Sequence, residues 1–409
     1  GQKNASRKIL YTIWEKNIKN ESKVSQLGSK VAEFAEYLHG NLDGVICNLA
    51  QNYVGTNNIP LLSREGNFGT RFTPEPSASR YIFTNGENEF FNLFKKEDMP
   101  ILTKQYFEGH QIEPIFYVPT LPLLLINGSE GVSSGFAQKI LPRNPEDIKK
   151  YIKSSIKNGT DKSKPILKPY YKGFSGEIIQ GENNAQWLIK GSIERVSLNR
   201  VQINEVPIGY NLKSYLNVLD DLEDKKFIQS YKDLSENDKF KFIVNINSKV
   251  LKELDDDTLL SKLKLIKKVT ENYTVINKEN TIDVFERAED VLDEYIKIKL
   301  DYMSIRKKYQ INDLESTIRL DYSKYLFIKM ITDDELVINK RKKDDIVKDL
   351  EGIKEILKRD DSYDYLLSIP IYSLTQERME KLLNDIKGKK KELDDLKSKD
   401  VSEIWLNEI

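Results

Sequence analysis

The C-terminal part of the chain contains a long run without proline or glycine, from Asp283 to Glu351. Because these two residue types are the strongest helix breakers, the run favours long helices. Within it, apolar residues recur at alternating intervals of three and four, at Tyr295, Ile298, Tyr302, Ile305 and Tyr309. This spacing is typical of a coiled-coil seam. The run therefore predicts an outgoing coiled-coil helix over residues 286–312.

The remaining C-terminal residues predict a helix that returns along the first one. Lys389 and Lys390 interrupt a second series of apolar residues at helical spacing, which comprises Met379, Leu382, Ile386, Leu393 and Leu396. We therefore expect a returning helix over residues 373–409. Residues 313–372 are predicted to form a compact helical knob that ends where Pro370 prevents continuation. Because so narrow a seam leaves apolar surface of the knob uncovered, the pattern also predicts a partner chain.

The first 85 residues have the pattern of a small mixed domain. Apolar residues at helical spacing predict helices over residues 7–17, 24–34 and 42–53. A helix pair joined by a short turn with glycine is typical of helix-turn-helix units, which place their second helix in the DNA major groove. Many such pairs bind no DNA, so this pattern alone leaves DNA binding open. The turn-rich residues that follow suit the loops and short strands of a wing.

Residues 86–285 predict an α/β domain. Five prolines between residues 114 and 145 prevent a long helix in that stretch. Segments that alternate apolar and polar residues, or that are rich in β-branched types, predict strands over residues 174–179, 185–189, 197–206 and 241–246. Taken with the helical regions on either side, these strands indicate an α+β multidomain chain.

Charge is balanced overall but segregated along the chain. The 409 residues carry 64 basic and 64 acidic side chains, yet residues 1–30 hold seven basic residues against two acidic ones. Local positive patches, rather than net charge, create a field that attracts phosphates. On charge alone, ordinary solvated helix faces explain these patches equally well.

Several classes of protein are excluded by what the sequence lacks. Cys47 is the single cysteine and there are only two histidines, so neither an internal disulfide nor a structural zinc site is expected. The longest apolar stretch, residues 116–126, contains two prolines and is about half as long as the ~20 residues of a membrane-spanning helix. A Walker-type phosphate loop, a dinucleotide fingerprint and a serine-hydrolase elbow are also missing.

Five motifs occur in a fixed order in the first 85 residues: RKILYT (7–12), YLHG (37–40), NLAQNYVGTNN (48–58), GNFGTR (66–71) and ASRYIFT (78–84). Together they resemble the DNA-gate region of a type IIA DNA topoisomerase of the eukaryotic or large-DNA-virus kind. The resemblance continues through NGSEGVSSG (127–135) and DYLLSIP (364–370), so it covers essentially the whole chain.

This resemblance implies the fold and the partners. It implies a winged-helix domain over residues 1–85, an α/β tower domain over residues 86–285, and a long antiparallel coiled coil tipped by a helical dimerisation gate. The partners implied are a second copy of the chain and double-stranded DNA, as both gate and transported segments, with no membrane. Mg²⁺ and ATP are implied for the complete enzyme, bound outside this chain, and no metal ligands within it. The implied location is the nucleus for a cellular protein, and the cytoplasm or viral factory for a viral one.

By the same resemblance, Tyr81 is the nucleophile that attacks a DNA phosphodiester, leaving a 5′-phosphotyrosine link and a free 3′-hydroxyl. A phenol ionises near pH 10 and is a weak nucleophile at pH 7, so it needs a base and positive charge around the phosphorus. The adjacent Arg80 is suited to hold two phosphate oxygens, and Arg7 is a second candidate for this role. His39 either accepts the phenolic proton or only hydrogen-bonds a phosphate.

The DNA-contacting residues implied by the resemblance are Lys3, Lys8, Tyr37, Arg71 and Val132. Val132 occupies the place of an isoleucine that inserts between base pairs and bends the gate segment. Leu38 departs from the family pattern, which usually has histidine there.

Two alternatives remain open on sequence alone. One is a non-catalytic, dimeric DNA-organising clamp that keeps the winged helix and the coiled coil; it would form no covalent adduct with DNA. The other is a coiled-coil scaffold with incidental basic patches, which would show no salt-sensitive DNA binding.

Overall fold

The computed structural model describes residues 2–133, 135–158 and 166–409; Ser134, within the motif at residues 127–135, lies outside them. The chain divides into two compact units. The first extends to Lys299 and includes Ile409, and the second comprises Leu300–Glu408. None of the helices in the described ranges combines the length and apolarity that a bilayer-spanning segment requires.

The first unit begins with three packed helices: α1 (Asn4–Glu15), α2 (Val24–Phe34) and α3 (Asp43–Ala50). Strands β1 (Ser22–Lys23) and β2 (Phe83–Thr84) pair antiparallel beside them. Each helix buries its apolar stripe, with Ile13, Leu27 and Ile46 fully enclosed. The predicted second helix is confirmed at both ends. The first begins three residues earlier than predicted, and the third ends three residues earlier.

The middle of the first unit consists of short elements, as the prolines predicted. They are α4 (Asn88–Leu93), a 3₁₀ helix (Lys96–Ile101), β3 (Gln105–Phe107), β4 (His110–Ile112), α5 (Leu123–Ile126), β5 (Ser129–Ser133), β6 (Phe136–Ile140) and α6 (Pro145–Asn158). Strands β3 and β4 form one antiparallel hairpin, and β5 and β6 form another.

Two larger antiparallel sheets follow. Their strands and the associated helices are β7 (Glu177–Gln180), β8 (Gln186–Lys190), β9 (Ser192–Ser197), β10 (Arg200–Glu205), α7 (Leu212–Asp224), β11 (Ser230–Asp233), β12 (Phe242–Asn245), α8 (Ser248–Glu253), α9 (Asp256–Lys262) and β13 (Ile266–Thr270). The orders are β11-β12-β10-β9 and β13-β8-β7. A two-stranded hairpin, β14 (Tyr273–Ile276) with β15 (Ile282–Phe285), completes the region.

One core of the first unit lies between the four-stranded sheet and helices α7 to α9. The alternating residues of β10 and β12 that face these helices are fully buried, as are Tyr215 and Leu219 of α7. Residues 197–206 were expected to form one strand, which is wrong. The chain turns at Leu198 and Asn199, and β9 and β10 pair as a hairpin. Apolar and polar residues alternate on both sides of the turn, but the spacing changes there from two residues to three, between Leu198 and Val201.

Helix α10 (Ala288–Thr332) is 45 residues long. The predicted end of the outgoing helix at residue 312 is therefore wrong, since the helix continues for 20 more residues to Thr332. The segment predicted to begin a separate knob is its C-terminal part.

The second unit begins with residues 300–332 of α10. It also contains helices α11 (Lys343–Glu351), α12 (Asp364–Leu367), a 3₁₀ helix (Ile371–Ser373), α13 (Gln376–Ser398) and α14 (Val401–Leu406). Residues within the predicted knob, among them Phe327, Leu350 and Leu366, pack into a compact apolar core. Helix α13 returns along α10: Ile318 packs with Ile386 and Leu393. Lys397 pairs with Glu315 and Lys389 with Asp321, an order that makes the helices antiparallel.

The buried stripe of α10 differs from the predicted seam. Ile305 and Tyr309 are 46% and 44% exposed, whereas the buried positions follow the series Leu292, Ile296, Lys299, Met303 and Arg306. Two of these are cations with long-range partners. Lys299 Nζ donates to Asp98 at 3.2 Å and to the carbonyl of Val118 at 3.0 Å, and Arg306 pairs with Glu408. The buried positions have heptad spacing, but Lys299 and Arg306 are charged, so a search for apolar residues does not detect them.

Candidate nucleic-acid cleavage site

Tyr81 lies on an exposed loop with firm anchors on both sides. Its side chain is 66% exposed, whereas the next residue, Ile82, is 1% exposed and belongs to the core. The Tyr81 amide donates to the carbonyl of Ala78 at 2.9 Å, and the carbonyl of Ile82 accepts from Val24 at the start of α2 at 3.0 Å. The loop then enters β2. Tyr81 is therefore presented to solvent from a backbone that packing and hydrogen bonds hold in place.

Arg80 lies beside the Tyr81 ring. Its guanidinium carbon is 5.1 Å from the ring centroid, within the range of a cation–π contact. Arg80 is itself exposed. The two neighbouring side chains thus bring a phenolic oxygen and a fixed positive charge to the same patch of surface, which suits an attack on a phosphodiester.

The turn between α2 and α3 carries His39, the histidine predicted to accept the phenolic proton or to bind a phosphate. His39 is exposed, and its ring meets that of Tyr37 edge-on with centroids 6.1 Å apart. Gly40 follows with φ of +84°, a left-handed conformation that favours glycine. Leu38, the departure from the family pattern, is 72% exposed. The structure thus presents Tyr37, Leu38 and His39 together at one turn.

Arg7 lies on α1 and is half-buried. Its Nε is enclosed and has no hydrogen-bond partner among the described residues. Its charge acts on Tyr117: burial is the main cause that raises the Tyr117 pKa, and Arg7 partly opposes the rise. Arg7 is only half-buried, and a guanidinium can bind an anion through its other nitrogens without using the enclosed Nε.

The hairpin of β5 and β6 brings Lys3 and Val132 together. Val132 pairs with Ala137 near the hairpin tip and is 89% exposed. The exposed Lys3 side chain reaches this hairpin, and its Nζ donates to the carbonyl of Glu130 at 2.5 Å. An exposed apolar side chain on a narrow projection, with a cation at its base, has the chemistry of a group that enters a DNA groove.

Two of the predicted DNA contacts need correction, because the side chains are enclosed in ion pairs. Lys8 is 6% exposed, pairs with Glu113 at 2.9 Å and also donates to the carbonyl of Ala35. Arg71 is 5% exposed and pairs with Glu205 at 2.7 Å. Cations already held by buried carboxylates cannot also neutralise surface phosphates. Both residues belong to the interior of the first unit.

Lys3 and Lys8 provide a matched test of this distinction. Replacing Lys8 with methionine leaves the Glu113 carboxylate buried and unpaired, which is expected to lower the free energy of unfolding by about 3–5 kcal/mol. Lys3→Met is expected to change it by no more than about 0.5 kcal/mol and to weaken DNA binding, with a salt-dependence slope smaller by about 1. Chemical denaturation and DNA titrations at several salt concentrations measure these effects. Equal loss of DNA affinity without loss of stability in both variants would contradict the assignment of Lys8.

Sequence reasoning missed a buried polar cluster, which is formed by Arg143, Glu271, Trp187 and Tyr273. Arg143 and Glu271 are both fully enclosed and pair at 2.7 Å. Burial by itself lowers the pKa of Arg143, but hydrogen bonding to Glu271 and its charge raise it overall. The four residues are separated along the chain by up to 130 positions, so no local pattern signals them.

Within the ranges that the structure describes, no three His, Cys, Asp or Glu side chains gather closely enough to hold a metal ion.

Comparison with known proteins adds an independent line of argument. The sequence model of a family described as the A subunits of DNA gyrase and topoisomerase IV matches residues 1–409. The mitochondrial DNA topoisomerase 2 of Dictyostelium discoideum is 33% identical over 419 residues, which cover 99% of this chain and 32% of that protein. The DNA topoisomerase 2 of Plasmodium falciparum is 33% identical over 453 residues, covering 100% of this chain and 32% of that protein. The chain thus spans about a third of the length of these relatives.

A solved structure shares the fold. The crystal structure of the DNA-binding, cleavage and re-ligation domain of Plasmodium falciparum topoisomerase II superposes with a TM-score of 0.89 at 33% identity. The match covers 100% of this chain and 59% of that one. The mixed α/β architecture described above is therefore that of a topoisomerase II DNA-binding and cleavage core.

Proposed function

Because this chain belongs to the DNA gyrase/topoisomerase IV family, we propose that it is the DNA cleavage and religation core of a type IIA DNA topoisomerase. The observation that carries this proposal is the exposed Tyr81 on an anchored loop with the Arg80 guanidinium beside its ring. A non-catalytic DNA clamp has no use for this pair of side chains.

The elements of the chain fit the parts of such a core. Helices α1 to α3 with strands β1 and β2 are the winged-helix domain, and the sheets and helices up to residue 285 are the tower domain. Helices α10 and α13 are the antiparallel coiled coil. The apolar core around Leu350 belongs to the helical gate at its end. This assignment rests on element order and on the antiparallel contacts of α10 with α13.

The proposed reaction is a transesterification. The Tyr81 Oη attacks the phosphorus of a DNA phosphodiester, a P–Oη bond forms, and the P–O3′ bond breaks. The phenolic proton passes to a base, and the departing 3′-oxygen takes up a proton to become a hydroxyl. Religation is the reverse: the 3′-hydroxyl attacks the phosphotyrosine and releases Tyr81. Because one ester replaces another, the energy of the broken bond is kept for resealing.

Arg80 and Arg7 stabilise the charge that develops on the phosphate oxygens. Guanidinium groups remain charged at all working pH values and can hold two oxygens at once. Fixed positive charge at the developing oxyanions is commonly the largest single contribution to such catalysis. His39 is the proposed acceptor or relay for the phenolic proton, since an imidazole nitrogen can accept a proton and release it again. Tyr37 and Lys3 are proposed to bind the DNA backbone.

Val132 is proposed to insert between base pairs and bend the DNA gate segment. Apolar side chains that enter the minor groove unstack a base step and kink the duplex. Its exposure at a hairpin tip suits this role, because nothing in the described chain covers it.

A double-strand break requires two nucleophiles, so the proposed enzyme is a homodimer with one Tyr81 for each strand. The second unit supports this with two adjacent apolar residues, Ile371 and Tyr372, each 83% exposed. Replacing Tyr372 with glutamate is expected to weaken dimer formation by roughly 10–100-fold, because an aromatic anchor is lost and a charge is buried at the interface. Sedimentation across a range of protein concentrations measures the dimer dissociation constant. Leu198→Glu, at an equally exposed apolar site of the first unit, is the control expected to leave dimerisation unchanged.

ATP and Mg²⁺ are proposed to bind to parts of the complete enzyme outside this chain. This agrees with the one-third coverage of the relatives.

The proposed DNA cleavage is tested by denaturing the complete enzyme while it is bound to a duplex labelled at each 5′ or 3′ end in turn. Protein attached through 5′-phosphates is the expected result, and a complete lack of attachment would support the clamp instead.

A further inference from the structure

We propose that Glu271 and Arg143, together with Trp187 and Tyr273, are positioning residues for DNA bending. They fix the base of the β5–β6 hairpin, which carries Val132 near its tip. This inference rests on the proposed role of Val132 and extends it to four buried residues that have no access to DNA.

The hairpin needs such a support because Val132 cannot position itself. Its side chain is 89% exposed and so has little packing within the chain. The direction in which it points is set by the two strands beneath it, paired from Ser129 with Ile140 to Ser133 with Phe136. An isolated two-stranded hairpin is marginally stable in water. Its orientation must therefore come from the structure to which its base is attached.

The attachment begins on strand β6. The amide of Lys139 donates to the carbonyl of Asn272 at 3.0 Å, and the Asn272 amide donates back to Lys139 at 2.8 Å. Gln138 Nε2 adds a hydrogen bond to the carbonyl of Thr274 at 2.6 Å. These bonds join the hairpin to Asn272, which lies between β13 and β14, and to Thr274 of β14. Glu271 precedes Asn272, and Tyr273, the first residue of β14, follows it.

Glu271 then fixes the point where β6 ends. Its Oε1 accepts the amide of Leu141 at 2.6 Å, and its two oxygens accept the Arg143 guanidinium at 2.8 and 2.7 Å. Arg143 also donates to the carbonyls of Leu141 at 2.6 Å and Leu167 at 2.8 Å. The carboxylate and the guanidinium thus hold the backbone of the same short segment from two sides.

Two further donors orient Glu271 itself. The Trp187 indole on β8 donates to Oε2 at 2.7 Å, and the Tyr273 hydroxyl donates to the same oxygen at 2.6 Å. Trp187 lies on β8, the central strand of the β13-β8-β7 sheet. Its hydrogen bond therefore fixes the position of the carboxylate relative to that sheet. Glu271 thus links the Trp187 indole on the sheet to the backbone of Leu141, the residue that follows the end of β6.

The type of interaction supports positioning rather than stability. A buried ion pair contributes little net stability compared with apolar packing of the same volume, because both charges lose their hydration. A bidentate pair does, however, define distance and angle more sharply than apolar contacts do. Gly128, at the other strand of the base, has φ of +72°, and a Cβ there would lie 2.6 Å from the Ile140 carbonyl oxygen. Both strands are therefore tightly constrained where the hairpin begins.

Fluorescence resonance energy transfer between dyes at the two ends of a gate-length duplex tests the inference in the complete enzyme. The variant is Trp187→Phe/Tyr273→Phe, which removes two donors to Glu271 and keeps an aromatic ring at each position. We expect the equilibrium constant for bending to fall roughly tenfold, as for weakening of a charge-assisted network, while initial DNA affinity stays within about twofold. Tyr215→Phe is the matched control. It removes one equally buried tyrosine hydroxyl bond, to the carbonyl of Leu263 at 3.0 Å, remote from the hairpin, and is expected to bend DNA normally.

Val132→Ala separates this inference from the proposed function. If Val132→Ala bends DNA normally, the proposed role of Val132 fails. If Val132→Ala impairs bending but the aromatic double variant behaves like Tyr215→Phe, only the positioning role is overturned. In the Val132→Ala background, the double variant is expected to cause no further loss, since both changes act through one side chain. If the losses of bending caused by Val132→Ala and by the double variant add, the positioning role is also overturned. Should the double variant fail to fold, Tyr273→Phe alone replaces it, with an expected reduction of roughly threefold.

Discussion

Replacing Tyr81 with phenylalanine is expected to abolish the covalent attachment of protein to DNA while leaving DNA binding within about twofold. Phenylalanine keeps the ring that lies against Arg80 but removes the oxygen that forms the bond to phosphorus. No neighbouring group can replace a missing nucleophile, so the cleavage rate should fall by at least about 10³-fold. Denaturation of the enzyme–DNA complex on end-labelled duplex, followed by gel analysis, measures the covalent product.

Tyr106 provides a matched control for this experiment. It is 64% exposed, nearly the same as Tyr81, and lies on strand β3 in the same unit. Tyr106→Phe removes an exposed hydroxyl without touching the proposed nucleophile, so the yield of covalent complex should stay at the level of the parent. If Tyr81→Phe forms as much covalent complex as Tyr106→Phe, the proposed reaction is refuted.

Loss of the Arg80 guanidinium is expected to have the second-largest effect. Arg80→Ala should lower the cleavage rate by about 10²–10³-fold, the range observed when one donor to a developing oxyanion is removed. Arg80→Lys keeps the charge but loses the bidentate fork, so its rate should lie between those of the parent and Arg80→Ala. Because the proposed role of Arg80 is in the transition state, the DNA dissociation constant should change far less than the rate.

Arg64 is the control for general loss of positive charge. It is an exposed arginine of the same unit. Single-turnover cleavage at saturating enzyme separates the two effects, because it removes the contribution of DNA affinity. If Arg64→Ala and Arg80→Ala slow cleavage equally under these conditions, Arg80 acts only through the overall field and not at the phosphorus.

Much of the fold could be predicted because its signals are local. The apolar stripe of α2 repeats within 11 residues, and the packing of the helix uses the same stripe, so both ends were predicted correctly. Arg80 and Tyr81 belong to the same motif and are adjacent in the sequence, so their proximity could also be predicted. Val132 and Lys3 were each proposed separately, and only the folded chain shows that both lie at the same hairpin.

The errors in the predicted DNA contacts arose where a charge has a partner far along the chain. Lys8 and Lys3 occur in the same basic segment, yet the partner of Lys8 is 105 residues away and encloses it. The partner of Arg71 is Glu205, and Lys299 lies 201 residues from Asp98. A sequence displays each of these as a surface cation, because burial of an ion pair depends on tertiary contacts that local periodicity does not record. For the same reason the buried cluster around Glu271 gave no signal.

The ion pairs between α10 and α13 determine how this helix pair responds to a pull along its axis. A slip of one heptad would shift one helix by about 10.5 Å and would separate Asp321 from Lys389, leaving this carboxylate with only Lys324 of its own helix as a cationic partner. Apolar positions alone would be nearly interchangeable after such a shift. The charged ones are not, because each ion pair between the helices forms in one register, so the pairs favour this register of α10 and α13 over one shifted by a heptad.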